Sequence, residues 1–221
     1  MAGADGAWAQ SDREMELGSR IAKPKPADIP DYPGMSDADR GRATAFQFAQ
    51  CMLLKNSRKA EAYFAIKRDD PQSDVTLKKL ADNDCLRDGG LRMPTELLRG
   101  ALFRAAYIKQ FPRIPTTLAT AEVDFDTYLN DPKAPAMVQY RVLMDFADCV
   151  VRSDFANADR FVRTQPGSPE ENAALGALMP KLGPCMVSGV KVTLNRSVIS
   201  AVLSEALYRE GLAGIAGGAG A

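Results

Sequence analysis

A chain of 221 residues with 28 Lys plus Arg against 28 Asp plus Glu has no formal net charge, and it contains no histidine. The charge balance excludes the basic excess that phosphate-rich partners demand, so no nucleic acid is expected as a partner. The missing imidazole excludes Ser-His-Asp and Cys-His chemistry together with His-ligated zinc.

Residues 1–35 read as a flexible, proline-rich arm. Ala7-Trp8-Ala9 before Gln10 resembles the small-x-small cleavage site of an export signal, although the basic and apolar segments that precede such a site are missing. "IAKPKPADIPDYPG" (21–34) is punctuated by proline and should be extended. No apolar run approaches the roughly 20 residues of a membrane-spanning helix. The expected location is the periplasm or the outside of the cell, with the cytoplasm as the alternative.

Eight helices follow in two sets of four. The spacing predicts helices over about 37–54, 57–67, 71–83 and 95–110, and again over about 136–152, 154–164, 169–182 and 195–210. In the second set Tyr140, Leu143, Met144, Ala147, Val150 and Val151 fall on one face at helical spacing. Ser168-Pro169-Glu170-Glu171 is a capping box with proline in the first turn, where its missing N–H costs nothing. Asp70-Pro71 supplies a similar start. Gly211 stands where a left-handed residue would end a helix. Between the third and fourth helices of each set, "GGLRM" (89–93) and "VKVTL" (190–194) leave room for one very short strand.

The two sets share a pattern. "QFAQCMLLKNSRKAEAY" (47–63) aligns with "DFADCVVRSDFANADRF" (145–161) at an offset of 98, which pairs Phe48 with Phe146 and Cys51 with Cys149. Leu77 then meets Leu175 and Leu80 meets Leu178. At an offset of 101, Leu98, Leu102 and Tyr107 meet Ile199, Leu203 and Tyr208. The expected fold is all-α, built from two tandem, internally duplicated lobes. They cover 36–111 and 136–211, joined by 112–135, with 212–221 as a disordered Gly/Ala tail.

Cys51, Cys85, Cys149 and Cys185 lie two per repeat, 34 and 36 residues apart. Three readings compete. Disulfides within each repeat, Cys51–Cys85 and Cys149–Cys185, are the simplest under duplication. Free buried thiols of a cytosolic protein are the second. A redox or metal role is the third, and the absence of C-x-x-C speaks against it. Glu205 reads as a surface or capping charge, and its counterpart Arg104 excludes a symmetric acid pair. Tyr107 and Tyr208 read as amphipathic core residues. Arg99-Gly100 reads as a site of close helix packing, with anion binding as the rival. The nine methionines are scattered and read as gap-fillers.

The cysteine helix, the Ser168-Pro-Glu-Glu start and the "LRGAL" (98–102) and "ALY" (206–208) endings together look like exported proteins of sphingomonad-type alphaproteobacteria, over 45–111 and 138–211. The resemblance implies a helical, cysteine-paired, exported protein. It implies no activity, so no catalytic, cofactor-binding or metal-binding residue carries over.

The leading functional expectation is a non-catalytic structural or partner-binding protein without a cofactor, engaging another protein or a second copy of itself. Two alternatives stand beside it: small-molecule or peptide binding in a groove between the lobes, and a hydrolase that uses carboxylates without histidine.

Overall fold

The computed structural model describes residues 33–81, 85, 93–113, 123–187 and 189–218. Among these are eight α-helices: α1 Asp37–Lys55, α2 Ser57–Ala65, α3 Gln72–Leu80, α4 Thr95–Gln110, α5 Val138–Ser153, α6 Phe155–Arg163, α7 Pro169–Leu182 and α8 Arg196–Gly218. The fold is all-α.

Local chemistry sets the helix starts. The Ser36 hydroxyl accepts from the Asp39 N–H and opens α1, whose first turn carries Asp37 and Asp39 against the helix dipole. The Asp70 carboxylate accepts from the Gln72 N–H at 2.7 Å and opens α3. Ser168 accepts from the Glu171 N–H and opens α7, with Pro169 in the first turn. The reciprocal half of that capping box is missing, because the Glu171 side chain turns to the Gly167 N–H and to arginines in the core.

A single core runs through both helix sets, from Phe46 and Met52 in α1 to Phe146 and Val150 in α5 and Leu203 and Leu207 in α8. The central pair is α4 and α8. α1 packs on α4 as α5 packs on α8, while α2 meets α3 as α6 meets α7. Of the ten apolar positions matched in sequence, nine are buried; Leu175 is only half-buried, and the neighbouring Ala174 takes the inward place in α7. Part of the connection also packs: Phe125 and Leu129 are buried, the Tyr128 carbonyl accepts from the Arg68 N–H, and Asp69 accepts from the Asn130 and Asp131 N–H groups.

Three expectations are corrected. Residues 190–194 form no strand: they have neither backbone hydrogen bonds nor a neighbouring ladder among the described residues, so the alternation of Val190, Val192 and Leu194 has nothing to pair with. Their counterpart, 89–93, lies outside the described residues apart from Met93. Second, α8 does not stop at Gly211. It continues to Gly218, so 212–218 are helical, and only 219–221 of the supposed tail lie outside the description. Gly211 serves packing: a Cβ there would sit 2.4 Å from the Phe111 ring. Third, Glu205 is buried and not a surface charge. The proline-rich arm and the Ala7-Trp8-Ala9 segment lie outside the described residues.

Candidate functional site

Three clusters of charge are buried where α4 meets the second helix set. The first centres on Glu205, in the middle of α8. Sequence reasoning places it at the surface; it is buried instead, because Arg99 on α4 and Arg209 one turn later on α8 enclose it. Arg99 donates to it through Nη2 at 2.6 Å and Nε at 3.3 Å, and Arg209 through Nε at 2.9 Å and Nη2 at 2.8 Å. The Tyr140 hydroxyl donates at 2.9 Å. Tyr63 accepts from Arg99 Nη1 at 3.0 Å. Aromatic faces complete the enclosure: the Arg209 guanidinium lies 3.4 Å from the Tyr128 ring centre and Arg99 lies 4.7 Å from Phe103.

Burial pushes the Glu205 carboxyl up, but Arg99 and Arg209 outweigh it and hold it down to about 2. Burial and Glu205 together push the Tyr140 hydroxyl up, so it stays protonated and remains a donor. A carboxylate fixed in one charge state by this many donors is a poor proton carrier at neutral pH.

The second cluster centres on Glu171. Arg42 of α1 grips it with two bonds of 2.7 and 2.6 Å, and Arg104 of α4 stands 3.6 Å away. Arg42 also donates to Asp39 at 2.6 Å. Arg104 donates to the Val162, Phe161 and Thr164 carbonyls at the end of α6, where the Phe161 carbonyl also accepts from the Thr164 hydroxyl, so one cation gathers three C=O groups of the helix end. Burial, with Arg42 nearby, lowers the Arg104 guanidinium to about 10 despite Glu171. The third cluster joins Tyr107 of α4 to Asp159 of α6, which also accepts from Arg163 at 2.7 and 2.8 Å. Burial, reinforced by Asp159, pushes the Tyr107 hydroxyl up.

The residues singled out in the sequence fall as follows. The cysteines form two bridges, Cys51–Cys85 and Cys149–Cys185, each with a Cα separation of 5.6 Å, within the range a disulfide spans. Gly100 is the contact point of α4 and α8, where an added Cβ would lie 2.3 Å from the Ala201 Cβ; the seam is closed there. Arg99 does bind an anion, the protein's own Glu205. Tyr107 and Tyr208 are both buried. Met52 and Met144 fill the core, whereas Met179 and Met186 are exposed.

Sequence reasoning passed over Arg42, Asp159, Arg163 and Arg209, and it took Glu171 for a capping residue alone. One signal was available for the Glu205 hub: Glu205 and Arg209 stand i,i+4 on α8, which puts both on one face of the helix.

The chain also carries a surface cavity of about 150 Å³, lined by Phe125, Asp126, Arg141, Asp145 and Asp148 among others. Arg141 already pairs with Asp126 at 2.6 Å across it. Among the described residues, no group of three or more His, Cys, Asp or Glu could hold a metal ion, and no helix is long and apolar enough to cross a membrane. Compared with known proteins, the chain matches no family model, no curated relative and no solved structure.

Proposed function

We propose that the protein is a non-catalytic helical scaffold, held by two disulfides in an oxidising compartment outside the cytoplasm, whose role is structural or the binding of a protein partner. The observation that carries this reading is how its chemically capable side chains are used. Glu205, Glu171, Asp159, Arg99, Arg104 and Arg209 are hydrogen-bonded to one another or to backbone inside the core rather than presented in a cleft. Perturbed groups mark functional sites only when a substrate can reach them; buried ion-pair networks perturb them too. The matched placement of the cysteines, and of buried pairs such as Phe48 with Phe146 and Leu102 with Leu203, supports an origin by duplication.

The test has two arms. Thiol labelling of the protein isolated directly from its native cells, under denaturing conditions, should find all four cysteines blocked until a reductant is added. Free thiols would place it in a reducing compartment. In the second arm, ester, phosphate-ester and peptide probes should not be turned over. Turnover that disappears in a folded Glu205→Gln variant would favour the hydrolase alternative instead.

A further inference from the structure

Among the buried carboxylates, Glu210 stands apart. Glu171, Glu205 and Asp159 each hold at least one arginine. Glu210 is equally enclosed, with 0% exposure, yet neither of its carboxyl oxygens has a hydrogen-bond partner among the described residues. It sits on α8 directly after Arg209, whose guanidinium is committed to Glu205. The charged groups that act on it both come from α5. Asp148 repels its negative form and Arg152 attracts it, but Arg152 is itself held by Asp148 through Nε at 2.9 and 2.8 Å. From α4 and α6, the other helices packed on α8, no charged group among the described residues acts on it.

A carboxylate placed there would lose its hydration and gain no partner, and a like charge stands nearby; the uncharged acid suits the site far better. We propose that Glu210 is a proton latch: the seam between α5 and α8 closes around the protonated acid, which couples the stability of the whole fold to pH across the neutral range. Burial first, and Asp148 second, push this carboxyl from 4.5 up to about 9. The unfolded chain therefore gives up its proton near pH 4.5, while the folded chain keeps it until about 9. Between those values the folded state binds one proton more, so stability from this group is greatest below the lower value and falls as pH rises through the window. The seam tightens on acidification, the opposite of what the arginine-paired Glu205 does.

The experiment is denaturant unfolding of the disulfide-intact chain and of Glu210→Gln, from about pH 5 to about pH 9, comparing the two unfolding constants at each pH. Taking the ratio cancels every other titrating group. The wild-type constant should rise relative to the variant by up to about tenfold per pH unit, the signature of one proton. A ratio that is flat with pH means that Glu210 is charged in the fold, and the proposal fails. Glu210→Met replaces the glutamine variant if that chain does not fold. Should neither fold, the carbon-13 shift of the Glu210 carboxyl in the wild-type protein decides: a midpoint above about 7 supports the latch, and one near the ordinary carboxylate value of about 4.3 overturns it.

Discussion

In residues 36–111 the buried Tyr63 accepts a hydrogen bond from Arg99; at the matching place in 136–211 stands Phe161, equally buried and without a polar atom. The same contrast recurs at the hubs. Arg104 matches Glu205, Arg42 matches Tyr140, and the buried Ser73 matches Glu171. Apolar positions behave differently: Ala49 and Ala147, Ala60 and Ala158, Leu80 and Leu178, and Leu102 and Leu203 agree in kind and in burial. The shared residues pack the helices within each half and across the contact of α4 with α8. Residues that differ join the halves through Arg42–Glu171, Arg99–Glu205 and Arg104–Glu171, and Tyr107, which Tyr208 matches, adds a fourth link to Asp159. These buried charge pairs tie the two similar sets of helices together, beside the close packing of α4 on α8.

The largest way to strain this arrangement leaves the seam alone and loosens each half. Reducing both bridges opens loops of 34 and 36 residues, and chain entropy puts the loss at about 3–4 kcal/mol for each. Because the loops are so alike, replacing either cysteine pair with serines should lower the melting temperature by a similar amount; a strong inequality would show that the halves are not equivalent in the unfolded chain.

Breaking the seam comes next. Glu205→Ala leaves Arg99 and Arg209 buried without their counter-ion and should cost about 3–5 kcal/mol in denaturant unfolding. Replacing Arg99 and Glu205 together by methionine and leucine should cost less than the single change, because only Arg209, and no longer Arg99, is left without its counter-ion. Equal costs would mean that the pair is not coupled.

Acid probes the same carboxylate without mutation. Its folded value is depressed from 4.5 to about 2, so its contribution is present above pH 4.5 and disappears as the pH falls towards 2. At 1.36 kcal/mol per unit, that window corresponds to about 3 kcal/mol. A Glu205→Gln variant should lack this part of the acid transition when unfolding is followed by circular dichroism.

A smaller effect separates the two matched tyrosines. Tyr107→Phe removes the hydroxyl that donates to buried Asp159 and should cost about 1–3 kcal/mol. Tyr208→Phe should cost little, since that hydroxyl makes no hydrogen bond among the described residues. Equal losses would show that the bond from Tyr107 to Asp159 adds nothing to the packing that the two tyrosines share.

Much of the frame was legible because its signals are local. Ser168-Pro169 fixes the start of α7, and the apolar spacing of 95–110 gives α4 its full length. The matched placement of the cysteines makes Cys51–Cys85 and Cys149–Cys185 the simplest of three readings. Failures came where a residue's role depends on a distant neighbour. Gly211 looks like a helix stop until Phe111 is brought against it. Glu171 looks like the reciprocal half of a capping box, but its side chain is claimed by Arg42, 129 residues away in sequence. Glu205 looks like a solvent charge because its partner Arg99 is 106 residues distant. Short-range periodicity ranks residues by hydrophobicity and so sends isolated charges to the surface; only the tertiary fold supplies their counter-ions.

The central claim, that unlike buried residues fuse two similar helix sets into one cooperative body, is tested most directly by scanning calorimetry of the disulfide-intact chain. One transition with equal van't Hoff and calorimetric enthalpies is expected. Two transitions, or a van't Hoff enthalpy near half the calorimetric one, would show the halves unfolding independently and would contradict it.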